Sequence, residues 1–351
     1  MYYLIFLVGL LFSISKLFKK ALTIVFTLIL ILFAGFRYGV GTDYFGYYYL
    51  YNNYSLSFKN HITNIYNYRE ELGFRLIAVI FKNIGLEFQF FVAFFSVISI
   101  LTVYFIARKY SVNTMTSLLV FYSIFYIVWI QSGIRQGFTI FLGLLIVLYC
   151  FKSNKNILII PLVCILFLFH KASVIILPLY YISKQRWNLK TLSVISIISV
   201  LLSMLPISPI YMILQYTTIG QRGTAYNFSD SIINLDFQSI VRIIFLFIVL
   251  ISYRNILILD KKNYFILNYY IFGLVFYFLF KDIELIAARL SIYSRASEIL
   301  IIPMLLKLLI NKQNSILYAL LIVVYLCSYY LKDLNTMSNN VFTDNKYNLV
   351  K

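Results

Sequence analysis

The stretch "FQFFVAFFSVISILTVYFIA", residues 88–107, decides the fold class. It carries no charged side chain over 20 residues, and Arg108 and Lys109 follow it directly. As an α-helix it would cover roughly 30 Å, which is the thickness of the hydrocarbon core of a bilayer. Polar and apolar residues do not alternate within it as they do in an outer-membrane strand. The stretch therefore predicts a membrane-spanning helix.

The composition of the whole chain extends this prediction beyond one helix. Of 351 residues, 62% are hydrophobic and 12% are charged, whereas soluble domains carry roughly 25% charged residues. We predict an all-α integral membrane protein with about twelve spans, within a range of roughly ten to thirteen, that forms a single polytopic domain over residues 1–351. The spans are predicted at residues 2–17, 21–36, 88–107, 114–131, 137–151, 156–169, 172–183, 191–205, 239–253, 263–280, 290–309 and 315–331.

Two apolar segments have more than one interpretation. The first run is followed by lysines at residues 16, 19 and 20 and has no small-residue cleavage site, so we expect it to be a retained span and not a signal peptide. In the second segment, residues 72–86, Arg75 and Lys82 leave a single apolar stripe. Such a stripe predicts an interfacial or re-entrant helix instead of a span.

The basic residues predict the orientation in the membrane. With twelve spans and an outside N-terminus, one set of short loops holds half of the 30 basic residues and a single acid, Asp260. Short loops rich in Lys and Arg favour the cytoplasm. If residues 72–86 crossed the membrane, Arg108 and Lys152 would lie opposite the lysines near residue 20. The net charge of +18 is therefore read as a topogenic signal, and no nucleic-acid partner is expected.

The unusual polar residues gather on the predicted outer side, in loops near residues 37–87 and 206–238 and at the outer helix ends. The cytoplasmic loops contain no glycine-rich phosphate-binding pattern, so no nucleotide site is expected. Carboxylates at Asp43, Glu70 and Glu71 would form a metal site only through a particular fold of their loop, so we expect no metal and no cofactor. Whatever the protein binds should reach it from outside or from the outer leaflet.

Five short motifs occur in a fixed order along the chain: "RYGVGTDY" at residues 37–44, "ELGF" at 71–74, "IRQGF" at 134–138, "HKAS" at 170–173 and "RLSIY" at 289–293. In this order the chain resembles the EpsG family of Wzy-like exopolysaccharide and O-antigen polymerases. The resemblance covers most of the chain, from residue 37 to residue 293.

The resemblance implies both a fold and a reaction. The implied fold is an all-helical, glycosyltransferase-C-like architecture with outward-facing loops, located in the bacterial cytoplasmic membrane. The implied reaction transfers a growing glycan from undecaprenyl diphosphate to a hydroxyl group of the next lipid-linked repeat unit. The expected partners are the undecaprenyl-diphosphate-linked oligosaccharide, membrane lipid and a separate chain-length regulator protein.

The motif residues have chemistry that suits this reaction. An arginine meets phosphate oxygens with a planar fork of donors, and a base must accept the proton of the attacking hydroxyl. The candidate bases are His170, Asp43 and Glu71, and His170 is slightly favoured because its ordinary pKa is nearer to neutral. The expected substrate- and diphosphate-binding residues are Arg37, Arg135, Arg289, Arg295, Arg222 and Tyr44.

The same residues also fit structural roles. Arg37 and Asp43 could form a salt bridge at a helix end, and Arg135 could reach up to the interface. The many tyrosines fit an interfacial aromatic belt or a wall on which sugars stack. Arg295 could form a buried pair with Glu298, three residues further along a helix.

Three functions other than a polymerase also fit part of the sequence. A flippase would handle the same lipid-linked substrate, but it needs charges along a central cavity, whereas the exceptional residues here lie towards one side. A secondary transporter would carry its site near the midplane on interrupted helices, often with internal repeats, and no convincing repeat is present. A membrane O-acyltransferase would also use a histidine, which His170 alone does not exclude.

Overall fold

The protein is an all-helical membrane protein in a computed structural model. The structure describes residues 1–15, 18–63, 68–205, 237–281, 283–309, 326–327, 330–331 and 348–349. In these residues the only departure from helices and turns is a two-residue antiparallel pairing of Arg37–Tyr38 with Asn348–Leu349. The predicted all-α class is therefore confirmed. The loop at 206–238 and the span at 315–331 lie almost entirely outside the described residues.

The described residues of the first half of the chain form eight helices, three of them short ones between α2 and α6. They are α1 (Tyr2–Ile14), α2 (Lys19–Gly35), α3 (Tyr44–Asn53), α4 (Phe58–Thr63), α5 (Leu72–Asn83), α6 (Phe88–Tyr110), α7 (Thr114–Phe121) and α8 (Ile134–Lys152). Helix α7 continues without interruption as a π-helix, Tyr122–Ile130. The predicted outward loop at 37–87 is thus largely helical.

The second half contains seven more described helices, several of which begin with a 3₁₀ turn. They are α9 (Ile159–Phe167), α10 (Ile176–Lys184), α11 (Leu189–Ser203), α12 (Phe237–Leu259), α13 (Tyr264–Leu279), α14 (Glu284–Arg295) and α15 (Glu298–Leu309). The 3₁₀ turns cover Asn156–Leu158, Lys171–Ile175 and Lys261–Asn263.

One predicted span is wrong in its continuity. Residues 290–309 were expected to form one helix, but α14 ends at Arg295 and α15 begins at Glu298. The hydroxyl of Ser294 donates to the carbonyl of Ser291 and that of Ser297 to the carbonyl of Ser294. Such side-chain bonds compete with the helical backbone pattern and bend helices, which accounts for the break.

Three of the described helices are long and apolar enough to cross a membrane: Phe88–Tyr110, Ile134–Lys152 and Phe237–Leu259. Shorter apolar helical segments lie at Tyr2–Ser13, Thr114–Ile130, Asn156–Phe167 and Leu189–Ser203. Residues 88–107, which the sequence predicts as a span, thus lie within one of the long helices. The count of twelve spans stays a prediction.

A layer of three short helices, α3 to α5, packs on the ends of α6 and α8. Its small aromatic core is built from residues such as Tyr47, Phe74, Phe91 and Phe138. Helix α5 has 12 residues and is about 18 Å long, too short to cross a bilayer. The helix buries one of its faces within the layer, and Arg75, expected from the sequence to lie off the apolar stripe, is on that buried face.

Two side-chain contacts show which residues lie at each end of the helical bundle. At one end, the hydroxyl of Tyr2 donates to Gln131 Oε1 at 2.6 Å, just before the start of α8. At the other end of α8, Lys152 forms an ion pair with Asp260 at 3.1 Å. The start of α1, the loop after α2 and the turn before α8 therefore share one end, which we call the Tyr2 end, whereas Lys152 and Asp260 lie at the opposite one.

Candidate functional site

The turn between the π-helix and α8 forms the floor of the candidate site. Gly41, with φ +104°, lies directly against this turn, and a Cβ at Gly41 would collide with the carbonyl of Gln131. Glycine is needed here both for its backbone conformation and for the close approach. This contact brings the "RYGVGTDY" segment to the start of α8, where "IRQGF" begins. π-Helical segments occur frequently at functional sites, and this one ends at Ile130.

A second close backbone contact brings "ELGF" to "HKAS". The amide of Gly73 donates to the carbonyl of Leu168 at 2.7 Å, and a Cβ at Gly73 would lie only 2.9 Å from that oxygen. A larger residue would separate the start of α5 from the end of α9. The glycine therefore allows Glu71, two residues earlier, to lie beside His170.

Glu71 is the centre of the site. Its Oε2 accepts from Arg135 Nη1 at 2.8 Å, and its Oε1 accepts from the backbone amide of Lys171 at 3.1 Å. His170 Nδ1 lies 3.5 Å from the same Oε1, at the outer limit of a hydrogen bond. Three sequence motifs that are distant along the chain thus converge on one carboxylate.

The surroundings of Glu71 keep it ionised. Burial alone would raise the pKa of its carboxyl, but His170, the charge of Arg135 and the Lys171 amide outweigh burial and lower the pKa to about 2. A carboxylate with so low a pKa is a weak proton acceptor at neutral pH. It is suited to orienting Arg135 and His170.

Arg135 is held by aromatic rings as well as by Glu71. Its guanidinium carbon lies 5.5 Å from the ring centroid of Tyr47 and 5.4 Å from that of Phe74. Its Nε donates to the Tyr47 hydroxyl over a long 3.4 Å. Cation–π contacts of this kind fix a guanidinium without using all of its five donors. The side chain is 23% exposed, so part of it remains open to an anion.

His170 offers an unused imidazole nitrogen. The side chain is largely buried, and neither ring nitrogen has a hydrogen-bond partner among the described residues. Because Nδ1 faces Glu71, Nε2 is the nitrogen left without a partner among the described residues, and it is itself buried. An oriented imidazole with one free nitrogen is the arrangement expected of a general base.

Helix α14 forms the opposite side of the site. Gln136 Nε2 donates to the backbone carbonyl of Arg289 at 3.1 Å, and the hydroxyls of Thr139 and Tyr293 lie 2.8 Å apart. These buried contacts hold α14 against α8. The "RLSIY" motif therefore joins the same site, and the side chain of Arg289 is exposed there.

Asp43 lies at the rim of the site. Its side chain is exposed, and its backbone amide donates to Ser132 Oγ at 3.3 Å. Burial raises the pKa of the Tyr47 hydroxyl most, and the negative charges of Asp43 and Glu71 raise it further against the opposing effect of Arg135. Asp43 is therefore within electrostatic reach of the Arg135 cluster.

Other predicted site residues lie behind this cluster. Arg37 is 1% exposed and donates to the carbonyl of Ala34 and to Ser96 Oγ, the latter at 3.1 Å. Tyr44 is buried and donates to Gln89 Oε1 at 3.0 Å. Arg295 pairs with Glu298 at 2.9 Å, which is the buried pair that the sequence left open. Arg222 lies outside the described residues.

The sequence analysis missed Tyr47 and Phe74 as partners of Arg135. Tyr44, Tyr47 and Tyr51 are all buried on one face of α3. Their spacing of three and four residues is the helical signal that could have singled out Tyr47 from the other tyrosines. Among the described residues, no group of three His, Cys, Asp or Glu side chains is placed to hold a metal ion.

Fold and site together define a helical integral membrane protein with a polar site at one end, built from arginines, a carboxylate and an imidazole. The model of the EpsG family matches residues 20–348, and the chain belongs to this family of Wzy-like polymerases. The predicted family is thereby confirmed, and it implies a glycosyl-transferring polymerase of the exopolysaccharide or O-antigen type. Neither the curated proteins nor the solved structures gave a match to the chain.

Proposed function

We propose that the protein joins lipid-linked repeat units into polysaccharide on the outer face of the bacterial cytoplasmic membrane. The donor would be a glycan on undecaprenyl diphosphate, and the acceptor a hydroxyl of the next lipid-linked unit. The observation that carries this proposal is the convergence of Arg135, Glu71 and His170 at one end of the bundle of an EpsG-family chain. The complete helical bundle would have a glycosyltransferase-C-like architecture.

The proposed step forms one bond and breaks another at the same anomeric carbon. The acceptor oxygen bonds to that carbon, the bond from the carbon to the diphosphate oxygen breaks, and the bonding electrons leave with the diphosphate. His170 Nε2 takes the proton of the acceptor hydroxyl. Arg135 and the exposed Arg289 stabilise the departing diphosphate through charge-assisted hydrogen bonds. The energy comes from the sugar–phosphate bond, so no nucleotide is needed.

The three candidate bases receive different roles in this proposal. Glu71 orients Arg135 and His170, because its pKa of about 2 makes it a poor base. Asp43, exposed at the rim, hydrogen-bonds the acceptor sugar. His170 is the general base.

The remaining predicted residues are assigned to support or to the substrate path. Arg37 and Tyr44 hold the "RYGVGTDY" segment in place through Ser96 and Gln89. Arg295, neutralised by Glu298, contributes to packing. Arg222 stays a predicted substrate contact, and a chain-length regulator stays a predicted partner.

The decisive experiment compares the two histidines of the chain. Purified protein receives synthetic undecaprenyl-diphosphate-linked repeat units, and chain length is read on a gel. We expect His170→Gln to abolish polymer at unchanged folded yield, and the matched variant His61→Gln to retain it. Polymer formation by His170→Gln would reject the base assignment. Transfer of labelled repeat units across a proteoliposome membrane without any polymer would favour the flippase.

The outer-face location has its own test. In a background without the three cysteines, a cysteine at the exposed Asp43 should react in whole cells with a membrane-impermeant maleimide. A cysteine at Lys152, at the other end of the bundle, should react only after the cells are opened. The reverse pattern would place the site in the cytoplasm and exclude the proposed substrate pool.

A further inference from the structure

Arg242, in the second turn of α12, is a buried cation without an acidic partner among the described residues. It is 6% exposed, and its guanidinium carbon lies 4.1 Å from the ring centroid of Tyr277. Its Nη2 donates to Gln238 Oε1 at 3.3 Å. Its Nε is buried without a hydrogen-bond partner, and no ion pair of the described residues includes it.

This environment differs from that of the two arginines that form ion pairs with glutamates among the described residues. Arg135 and Arg295 each have a glutamate within 3 Å, whereas Arg242 has an aromatic ring and a neutral amide. A charge taken out of water is costly unless an opposite charge compensates it. Ionisable residues within a membrane bundle usually mark a binding site for that reason. The described residues therefore supply no anion that compensates the charge of Arg242.

Helix geometry places Arg242 at the level of the candidate site. Helix α12 ends next to Asp260, which pairs with Lys152 at the last residue of α8. Its start, and with it Arg242, thus lies at the same end of the bundle as Arg135. A Cβ at Gly273 would collide with the side chain of Ser294, so these two residues are level with each other. Tyr277 lies one turn after Gly273 in α13, and Arg289 lies in the turn before Ser294 in α14. Tyr277 is therefore level with the turn of α14 that carries Arg289.

Arg242 is nevertheless separate from the Arg135 cluster. Helix α8 contacts α14, α14 contacts α13, and α13 contacts α12. Packed helices lie about 8–10 Å apart, so three such steps separate the two arginines by up to roughly 30 Å. Two helices, α14 and α13, thus lie along this path between the two arginines.

The proposed reaction requires two lipid diphosphates at once. The donor diphosphate leaves from the reacting carbon and must lie beside Arg135. The acceptor carries its own diphosphate at the far end of its repeat unit, one repeat-unit length from the reacting hydroxyl. A second anion site, level with the first but separated from it, is what this substrate needs.

We propose that Arg242 binds the diphosphate of the acceptor lipid, with the Gln238 amide beside it and the Tyr277 ring behind it. This assignment rests on the proposed function. The ligand chemistry is that of a phosphate group, and the other source of such a group is the headgroup of an anionic phospholipid.

The test separates donor from acceptor. The donor is capped at its acceptor hydroxyl, and the acceptor carries a non-cleavable phosphonate in place of its glycosyl phosphate. Full-length protein in phosphatidylcholine nanodiscs is assayed with both. Arg242→Ala should raise the KM for the lipid-linked acceptor about tenfold or more and leave that for the donor unchanged. Arg242→Lys should recover part of the loss.

Two controls make the result specific. With a water-soluble oligosaccharide acceptor that lacks lipid and diphosphate, Arg242→Ala should match the wild type. Arg254→Ala, which removes an exposed arginine from the other end of α12, should match it with both acceptors. Folded yield is measured for each variant, and Arg242→Gln replaces the alanine variant if that one does not fold.

Three results would overturn the assignment. An unchanged KM for the lipid-linked acceptor excludes Arg242 from acceptor binding. An equal loss with the soluble acceptor indicates a purely structural role. A loss that appears only when phosphatidylglycerol is present assigns the site to a phospholipid headgroup. Absence of product in the wild type itself would instead reject the proposed function.

Discussion

Two arginine–glutamate pairs in the described part of the chain have nearly the same length and different surroundings. Arg135 and Glu71 lie 2.8 Å apart, and Arg295 and Glu298 lie 2.9 Å apart. The first pair joins residues 64 positions apart and has side chains 23% and 8% exposed. The second joins residues three apart and is 5% and 0% exposed.

From this difference we infer a chemical role for the first pair and a packing role for the second. Glu71 also contacts His170 and the Lys171 amide, so its pair connects three motifs and leaves part of Arg135 open. The Arg295–Glu298 pair is sealed at the junction of α14 and α15. Removing one member of a sealed pair should affect folding most, and removing one member of the open pair should affect activity most.

The largest effect is expected for Glu298→Ala. It leaves the buried charge of Arg295 without this carboxylate, which destabilises proteins by about 3–5 kcal/mol. We expect a strong loss of folded protein in size-exclusion chromatography and a lower melting temperature. The matched control is Glu70→Ala, at a partly exposed glutamate. Equal melting temperatures for the two variants would remove the contrast between the pairs.

Arg135→Ala should act on turnover instead. One charge-assisted contact contributes about 1.5–3 kcal/mol, so its loss should slow polymerisation roughly ten- to a hundredfold. Arg135→Lys should rescue poorly because it keeps the charge and loses the planar fork. Folded yield should stay near that of the wild type. Full activity of the alanine variant would return Arg135 to an interfacial role.

Glu71 should make stability depend on pH in a defined window. Its pKa falls from an ordinary 4.5 to about 2 on folding, so its stabilising contribution is complete above pH 4.5 and is lost as pH falls towards 2. By pH 3.5 the loss should be on the order of 1 kcal/mol. To check this, the melting temperatures of the wild type and of Glu71→Gln are measured from pH 7 to pH 3.5, and the difference between them is followed as the pH falls. A difference that stays constant from pH 5.5 to pH 3.5 would contradict the low pKa.

The smallest effect is expected for Tyr47→Phe. The hydroxyl contact to Arg135 Nε is long, at 3.4 Å, and the phenyl ring keeps the cation–π contact. A cost of about 0.5 kcal/mol corresponds to a two- to threefold loss of rate. Tyr47→Leu removes the ring as well and should cost more. Equal rates for the two variants would show that the ring does not hold Arg135.

Much of the fold was predictable because membrane helices leave a local signal. Long apolar runs set the class and most helix positions, including Phe88–Tyr110. The break at residues 296–297 was missed because it depends on serine hydroxyls turning back to nearby carbonyls, which hydropathy does not register.

By itself the sequence determined the membrane class, the family, the candidate residues Glu71, Arg135 and His170, and the possible Arg295–Glu298 pair. That pair lies within reach along the chain, since residues three apart are neighbours on a helical path. Only the tertiary structure decided that Glu71 joins Arg135 to His170, that Arg37 is buried, and that no acid of the described residues pairs with Arg242. These relations depend on how helices distant in sequence pack, and helical periodicity fixes neighbours only within an element.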